Sequence, residues 1–206
     1  MSDYFDSLAS TWDDNPMKVE RAEATAAKVK SIDFESYDSV VDYGSGTGLL
    51  GVQLRHTFGT VHLADSSEKM LKVAQDKISK AGLDNIYIHH IASLSELPDQ
   101  HSAIVTLMTL HHIADVKDFF AQAWQALEPQ GTLMIADLYK EDGSFHKNQP
   151  NFDGHNGFDV VELETIAKQT GFRIEHAAAY YEVLKENNEG NEVAYPLFFF
   201  VAKKLT

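Results

Sequence analysis

Residues 40–51 read VVDYGSGTGLLG. An apolar run ends in Asp42, three glycines follow on alternate positions (Gly44, Gly46 and Gly48), and Leu49, Leu50 and Leu54 continue as helical sequence. Without a Cβ, glycine lets a chain turn tightly and approach a ligand closely, and the first N–H groups of a following helix are free to point at that ligand. Strand, glycine turn and helix in this order predict a cofactor site of nucleotide size at the carboxyl end of a first strand.

The rest of the chain repeats the alternation. Phe5, Leu8, Ala9 and Trp12 share one helical face, and Asn15-Pro16 reads as the cap and first residue of a second helix striped by Val19, Ala22, Ala26 and Val29. Strands are expected at about 39–43, at TVHLAD ending in Asp65, at IYIHHI, at SAIVTLMTL and at TLMIADLY, with a helix running from the glycine turn to about His56. The helix of Met70, Val73, Ala74 and Ile78 is capped by Ser66 or Ser67 and ended by Gly82. The helix of Phe119, Phe120, Ala123 and Leu127 is capped by Asp115 and closed by Pro129 and Gly131. Residues 140–157 are too polar for an element, and a loop of that length is functional or disordered. A helix from Asp159 to Gly171 precedes two long strands, FRIEHAAAYYEV and YPLFFFVAKK. The short turn between those two makes them antiparallel. The expected fold is α/β: a Rossmann-like, doubly wound, mostly parallel seven-stranded sheet with a C-terminal antiparallel hairpin. It forms a single domain over 1–206, in which 1–35 are a helical cover and 36–206 the core.

Composition narrows the function. Among 206 residues there is no cysteine, which excludes disulfides, thiolate metal sites and a cysteine nucleophile. The net charge of −14 and the lack of a basic track argue against a nucleic-acid partner and for a small acceptor. No apolar run reaches membrane-spanning length, and the acidic N-terminus does not read as a signal peptide. A cytoplasmic location is expected, and the oligomeric state is left open.

Gly46-Thr47-Gly48-Leu49-Leu50-Gly51 also fits the dinucleotide fingerprint, with Asp65 as a ribose acid. Against that, Asp42 beside the glycine turn would repel a pyrophosphate and suits a cationic amino group. With these residues the chain resembles the class I S-adenosylmethionine-dependent methyltransferases, in the small branch similar to ubiquinone/menaquinone-type enzymes. VVDYGSGTG resembles the family's first motif, LADSSEKML its second, IASLSELP its adenine-side segment, MTLHHIAD and LEPQGTLMIADLY its motifs around strands four and five. The terminal hairpin is similar too. Ser93 and Ser102 stand where many relatives carry acids. The resemblance implies S-adenosyl-L-methionine as cofactor. From the first motif it implies contacts by Asp42, Tyr43, Gly44, Ser45, Gly46 and Gly48, and from the second by Asp65, Ser66 and Met70. Ala92, Ser93, Leu94 and Leu107 complete the expected set.

The expected activity is in-line methyl transfer to a small molecule, with His111 or His112 as base where the acceptor needs one. Adjacent residues after a strand face different ways, so only one of the two should see the pocket, and a structural role for either stays open. His146 and His155 are expected to be solvated loop residues, and no metal is expected; a site from His146, Asp153 and His155 lacks ligand spacing. Phe5, Leu8 and Trp12 are core or lid. The rival readings are an NAD(P)-dependent oxidoreductase, which would need a Tyr-x-x-x-Lys-like pair, and a non-catalytic cofactor-binding protein.

Overall fold

The computed structural model describes residues 2–149 and 151–205. Met1 of the expected cover, Pro150 of the expected loop and the terminal Thr206 lie outside the described residues. Helix α1 (Ser2–Leu8) runs into a 3-10 turn over Ala9–Asp14, and α2 (Pro16–Lys30) follows. Asn15 starts α2 by accepting the Met17 N–H at 3.0 Å, and Pro16 fills a first-turn position that needs no N–H.

The core strands are β1 (Ser39–Tyr43), β2 (Thr60–Asp65), β3 (Ile86–His90), β4 (His101–Leu107), β5 (Leu127–Leu138), β6 (Phe172–Glu186) and β7 (Glu192–Lys204). Helices α3 (Glu68–Ala81), α4 (Val116–Ala126) and α5 (Val160–Thr170) connect them. The sheet order is β3-β2-β1-β4-β5-β7-β6, parallel except for β7, which runs antiparallel to both β5 and β6. This is the expected doubly wound sheet. Strand order reverses between β1 and β4, the place where open α/β sheets bind ligands.

Successive strand residues face opposite sides, so neighbouring apolar residues divide between two cores. Val40 and Phe199 pack with Ala22, Ala26 and Val29 of α2 and Ala74 of α3. Val41, Phe198 and Phe200 pack with Phe119 and Phe120 of α4 and Leu163 of α5. Each of these large side chains, fully buried, contributes about 1.5–3 kcal/mol.

Three expectations are corrected. First, the sequence after the glycine turn forms turns and a 3-10 segment at Gly51–Leu54, not an α-helix. The Gly51 N–H, which would pair with Thr47 in an α-helix, instead donates to Asp42 Oδ2 at 2.8 Å, and that interrupts the ladder. Second, β5 starts at Leu127 rather than Thr132: Leu127 pairs with His101, and a bulge absorbs the offset. Third, residues 140–157 are organised. The Glu141 N–H donates to the Asn156 carbonyl, and the Phe158 N–H to the Leu138 carbonyl, each at 2.9 Å. A 3-10 turn at Ser144–His146 between these arms is buried. His146 is therefore not solvated, and half-buried His155 donates from Nε2 to the Ile113 carbonyl at 3.0 Å.

The terminal hairpin overshoots the sheet. β5 pairs with β7 only as far as Leu197, while β6 and β7 stay paired out to Glu186 and Glu192. The 144–147 turn props this overhang. Ser144 Oγ and Tyr195 Oη lie 2.6 Å apart, Lys147 Nζ donates to the Asn187 carbonyl at 2.6 Å, and Lys185 Nζ donates to the Phe145 carbonyl.

Candidate active site

A cavity of about 580 Å³ opens at the carboxyl ends of β1, β2 and β4, within the range of small-molecule sites. The glycine turn forms one end. Gly44 must be glycine because of its neighbour: its φ is +73°, and a Cβ there would sit 2.2 Å from Thr109 Oγ1. Gly46 is different. Its φ is +53°, but the nearest protein atoms to a Cβ, Met70 Sδ and Trp12 Nε1, are 3.9 Å away, so the side-chain space opens on the cavity.

Asp42 and Asp65 sit beneath this turn. Asp42 is buried, and burial pushes its carboxyl up to about 7 against the Gly51 hydrogen bond. Asp65 accepts the Gly46 N–H at 2.7 Å with Oδ2 and the Ser67 N–H at 2.8 Å with Oδ1, so one carboxylate staples the first turn to the cap of α3. Burial raises its pKa as well. Ser45 Oγ is buried without a hydrogen-bond partner.

Of the expected cofactor contacts, Asp42, Tyr43, Gly44, Ser45 and Gly46 line this end of the cavity. So do Asp65, Ser66, Met70, Ala92 and Leu107. Gly48, Ser93 and Leu94 do not. Gly48 has φ +80° and packs toward β2, where a Cβ would meet Leu63 at 2.9 Å. Ser93 is committed elsewhere: its hydroxyl caps the 94–96 turn and donates to Gln122 Oε1 at 2.7 Å, while Leu94 is core.

The other end is built around histidines. Both His111 and His112 line the cavity, contrary to the expectation that only one would, because Leu110–His112 is a 3-10 turn rather than extended chain. His111 Nδ1 lies 2.7 Å from Asp137 Oδ1, and both residues are fully buried. Burial alone would push Asp137 up. The His111 ring and the N–H groups of His111 and Leu138 outweigh it and hold the carboxyl below its usual range. An ionised Asp137 accepts, so Nδ1 is the ring nitrogen of His111 that donates to it. His112 and His146 each leave Nδ1 buried without a partner, and burial, reinforced by the neighbouring His111, pushes both down to about 3. The three imidazoles can bring ligand atoms within 4.8 Å of one another, close enough to share a cation. Arg21 and Lys185 line the same end, and their positive charge opposes one.

The N-terminal segment roofs the cavity. Phe5 meets the His112 ring edge-on at 5.2 Å, and Trp12 lies over Gly46. Asp6 accepts from Ser67 Oγ at 2.6 Å, which lowers its pKa, and Asp13 accepts from Thr47 Oγ1 at 2.5 Å and Lys77 at 2.7 Å. Asp137, His146, Asp6, Asp13 and the cavity-lining Arg21 were not expected here. Only Asp137 had a visible signal, an acid inside the apolar strand LMIADLY.

The sequence and fold have counterparts among known proteins. Residues 40–131 match the family model described as a methyltransferase domain. The chain is similar to the ubiquinone/menaquinone biosynthesis C-methyltransferase UbiE of Shewanella piezotolerans, 29% identical over 154 residues, 72% of this chain and 58% of that protein. It thus spans less than two thirds of that relative's length. Its fold is similar to a putative methyltransferase solved in complex with the Trm112 methyltransferase activator of Haloferax volcanii (TM-score 0.77, 17% identical, 98% of each chain covered). An S-adenosylmethionine-dependent methyltransferase of Aquifex aeolicus is also similar (TM-score 0.71, 18% identical, covering 100% of this chain and 99% of that one). Over residues 40–131 in sequence, and in its fold, the chain is similar to S-adenosylmethionine-dependent methyltransferases.

Proposed function

We propose that this chain transfers a methyl group from S-adenosyl-L-methionine to a small-molecule acceptor. The observation that carries the reading is a cavity that joins a glycine turn, with buried Asp42 and part-buried Asp65, to an Asp137–His111 pair. The residues fit the cofactor. Asp42 suits its ammonium, Asp65 its ribose hydroxyls, the unpartnered Ser45 hydroxyl is free to hydrogen-bond, and the open side-chain space at Gly46 admits close approach. When bound, S-adenosylmethionine supplies a methyl carbon on a sulfonium, which departs as a neutral thioether keeping the electron pair of the broken S–C bond.

What remains for the protein is alignment and a proton. His111 Nε2 accepts the acceptor's proton as the new bond to the methyl carbon forms, and Asp137 stabilises the resulting imidazolium while fixing the ring. Phe5 and Trp12 shield the reacting atoms from water, and the same roof limits the acceptor to a small molecule. We take α1, its 3-10 extension and the 140–157 segment as a lid. No helix among the described residues is long and apolar enough to cross a membrane.

The test uses methyl-labelled S-adenosylmethionine and a cell extract. Label should pass into a filterable small molecule that separates by chromatography from S-adenosylmethionine, and His111→Ala should slow this about 10²–10⁴-fold. Label found only on retained protein or RNA would reject the small acceptor. Calorimetry should show binding of S-adenosylhomocysteine and none of NAD; the reverse would reject the cofactor.

A further inference from the structure

The two ends of the cavity carry opposite charge. Its only acids, among the described residues, are Asp42 and Asp65, both under the glycine turn. Arg21 and Lys185 line the far end, and Lys18 lies between the ends on the Trp12 ring, in a chain whose net charge is −14. Helix geometry brings Lys18 and Arg21 to the cavity from α2, and the hairpin overhang brings Lys185.

None of the three forms a salt bridge among the described residues. The carboxylates that act on them are engaged elsewhere. Asp13 accepts from Thr47 and Lys77, Asp137 holds His111, and Glu141 Oε2 accepts the N–H groups of Gly143 and Phe145, which leaves only Glu141 Oε1 without a partner. The cations rest on aromatic faces instead: Lys18 Nζ lies 3.1 Å from the Trp12 ring centre, and Lys185 Nζ lies 4.4 Å from that of Phe145. Arg21 Nε is buried with no acceptor. Burial, and then mutual repulsion through Arg21, lowers the pKa of Lys18 to about 8. Lys185 is lowered by burial, then by repulsion from Lys147 and Arg21.

A buried guanidinium N–H and two part-buried ammoniums without carboxylates call for anions. The cofactor brings one, the carboxylate of its methionine portion. That neutralises one of the three cations and leaves two.

We propose that the end of the cavity formed by Arg21 and Lys185, flanked by Lys18, binds an anionic group of the methyl acceptor, a carboxylate or a phosphate, so that the acceptor is a small acid. The acceptor's apolar part lies along Met17, Phe145 and Val183, which line the same end. Its nucleophilic atom then faces His111. The identification of the ligand as the acceptor rests on the methyl-transfer reading; the anion site itself rests on the unpaired cations.

The experiment is thermal denaturation of the full chain saturated with S-adenosylhomocysteine, so that the cofactor's own carboxylate is already in place. Sodium phosphate and sodium acetate are compared with sodium chloride at equal pH and ionic strength. Phosphate or acetate should raise the Tm saturably, by about 3–6 °C at tenfold above its Kd. The Lys18→Gln/Lys185→Gln double variant should lose that rise while binding S-adenosylhomocysteine within about threefold of wild type. Arg21 is left intact because either carboxylate could claim it. Equal Tm in all three salts overturns the proposal, and so does an undiminished rise in the double variant. If S-adenosylhomocysteine fails to bind the wild type while the anion effect persists in its absence, the methyl-transfer reading falls and the anion site stands.

Discussion

The glycine-turn end and the histidine end of the cavity are assembled by opposite means. The first comes mostly from two short stretches, residues 42–46 and 65–70, and its carboxylates also fix the backbone around them. The second draws a few residues each from α2, the turn after β4, the 144–147 turn and the hairpin overhang, and its cations form no salt bridges among the described residues. Chemistry shared across a family suits a contiguous stretch of backbone. Chemistry particular to one acceptor suits side chains gathered from afar, each replaceable without disturbing the others.

The division can be broken by variants that act on one end and are read at the other. The largest effect is expected from His111→Ala, which should slow methyl transfer roughly 10²–10⁴-fold while shifting the S-adenosylhomocysteine Kd by less than about threefold. Single-turnover rates and calorimetry separate the two, and lost cofactor binding would show that the ends are not independent. Gly46→Val should weaken S-adenosylhomocysteine at least about 100-fold. The new side chain fills ligand space, and the φ of +53° adds strain of about 1–2 kcal/mol. Wild-type affinity in that variant would remove the glycine turn from the site. Asp65→Ala should cost about 1.5–3 kcal/mol of cofactor binding; unchanged affinity with a lowered Tm would reduce Asp65 to a staple between two loops.

Two smaller effects sharpen the picture. If the roof closes on ligand, S-adenosylhomocysteine should slow hydrogen exchange in residues 3–14 and 140–149 more than in the paired part of β6 and β7, because a short helix alone is marginal. Equal change everywhere would make Trp12 ordinary core. The smallest effect lies outside both ends. Burial, with His101 and His89 beside it, lowers His62 to about 4, so the unfolded chain takes up a proton below its ordinary 6.5 that the folded chain refuses. Stability from His62 is therefore complete above about pH 6.5 and lost as pH falls toward 4. Urea titrations at pH 7.5 and 5 should show the loss in wild type and less of it in His62→Gln.

How legible each end was follows from the same division. The glycine turn could be read because its meaning depends on neighbours in sequence. The one local misreading there, a helix running to His56, fails because Asp42, nine residues away, takes the Gly51 N–H. At the histidine end, the strand-like reading of MTLHHIAD separated two imidazoles that a 3-10 turn brings to one cavity. Nothing near His146 in the sequence shows that Glu141 pairs with Asn156, and Leu138 with Phe158, to close the loop around it. Arg21 and Lys185 lie 164 positions apart, and only the completed sheet makes them neighbours. Asp137 was the exception, since a carboxylate within an apolar strand announces a buried partner without naming it.

The overhang of the terminal hairpin has a mechanical consequence. Beyond Leu197 the ribbon is two strands wide, clamped by the 144–147 turn and packed through Val183 and Tyr195 on Leu138, Met17 and Met108. Two-stranded ribbons twist more than full sheets, so this part behaves as a cantilever fixed to a stiff base. Its length sets how far Lys185 stands from the glycine turn, and hence the longest ligand the cavity spans. Adding or removing paired residues between the Tyr181–Leu197 pair and the Lys185–Val193 pair would move that limit in steps of one strand repeat, with β1, β2 and their loops untouched. The hairpin is in effect a ruler, and the fold can be recalibrated for a new acceptor from its last strand pair alone.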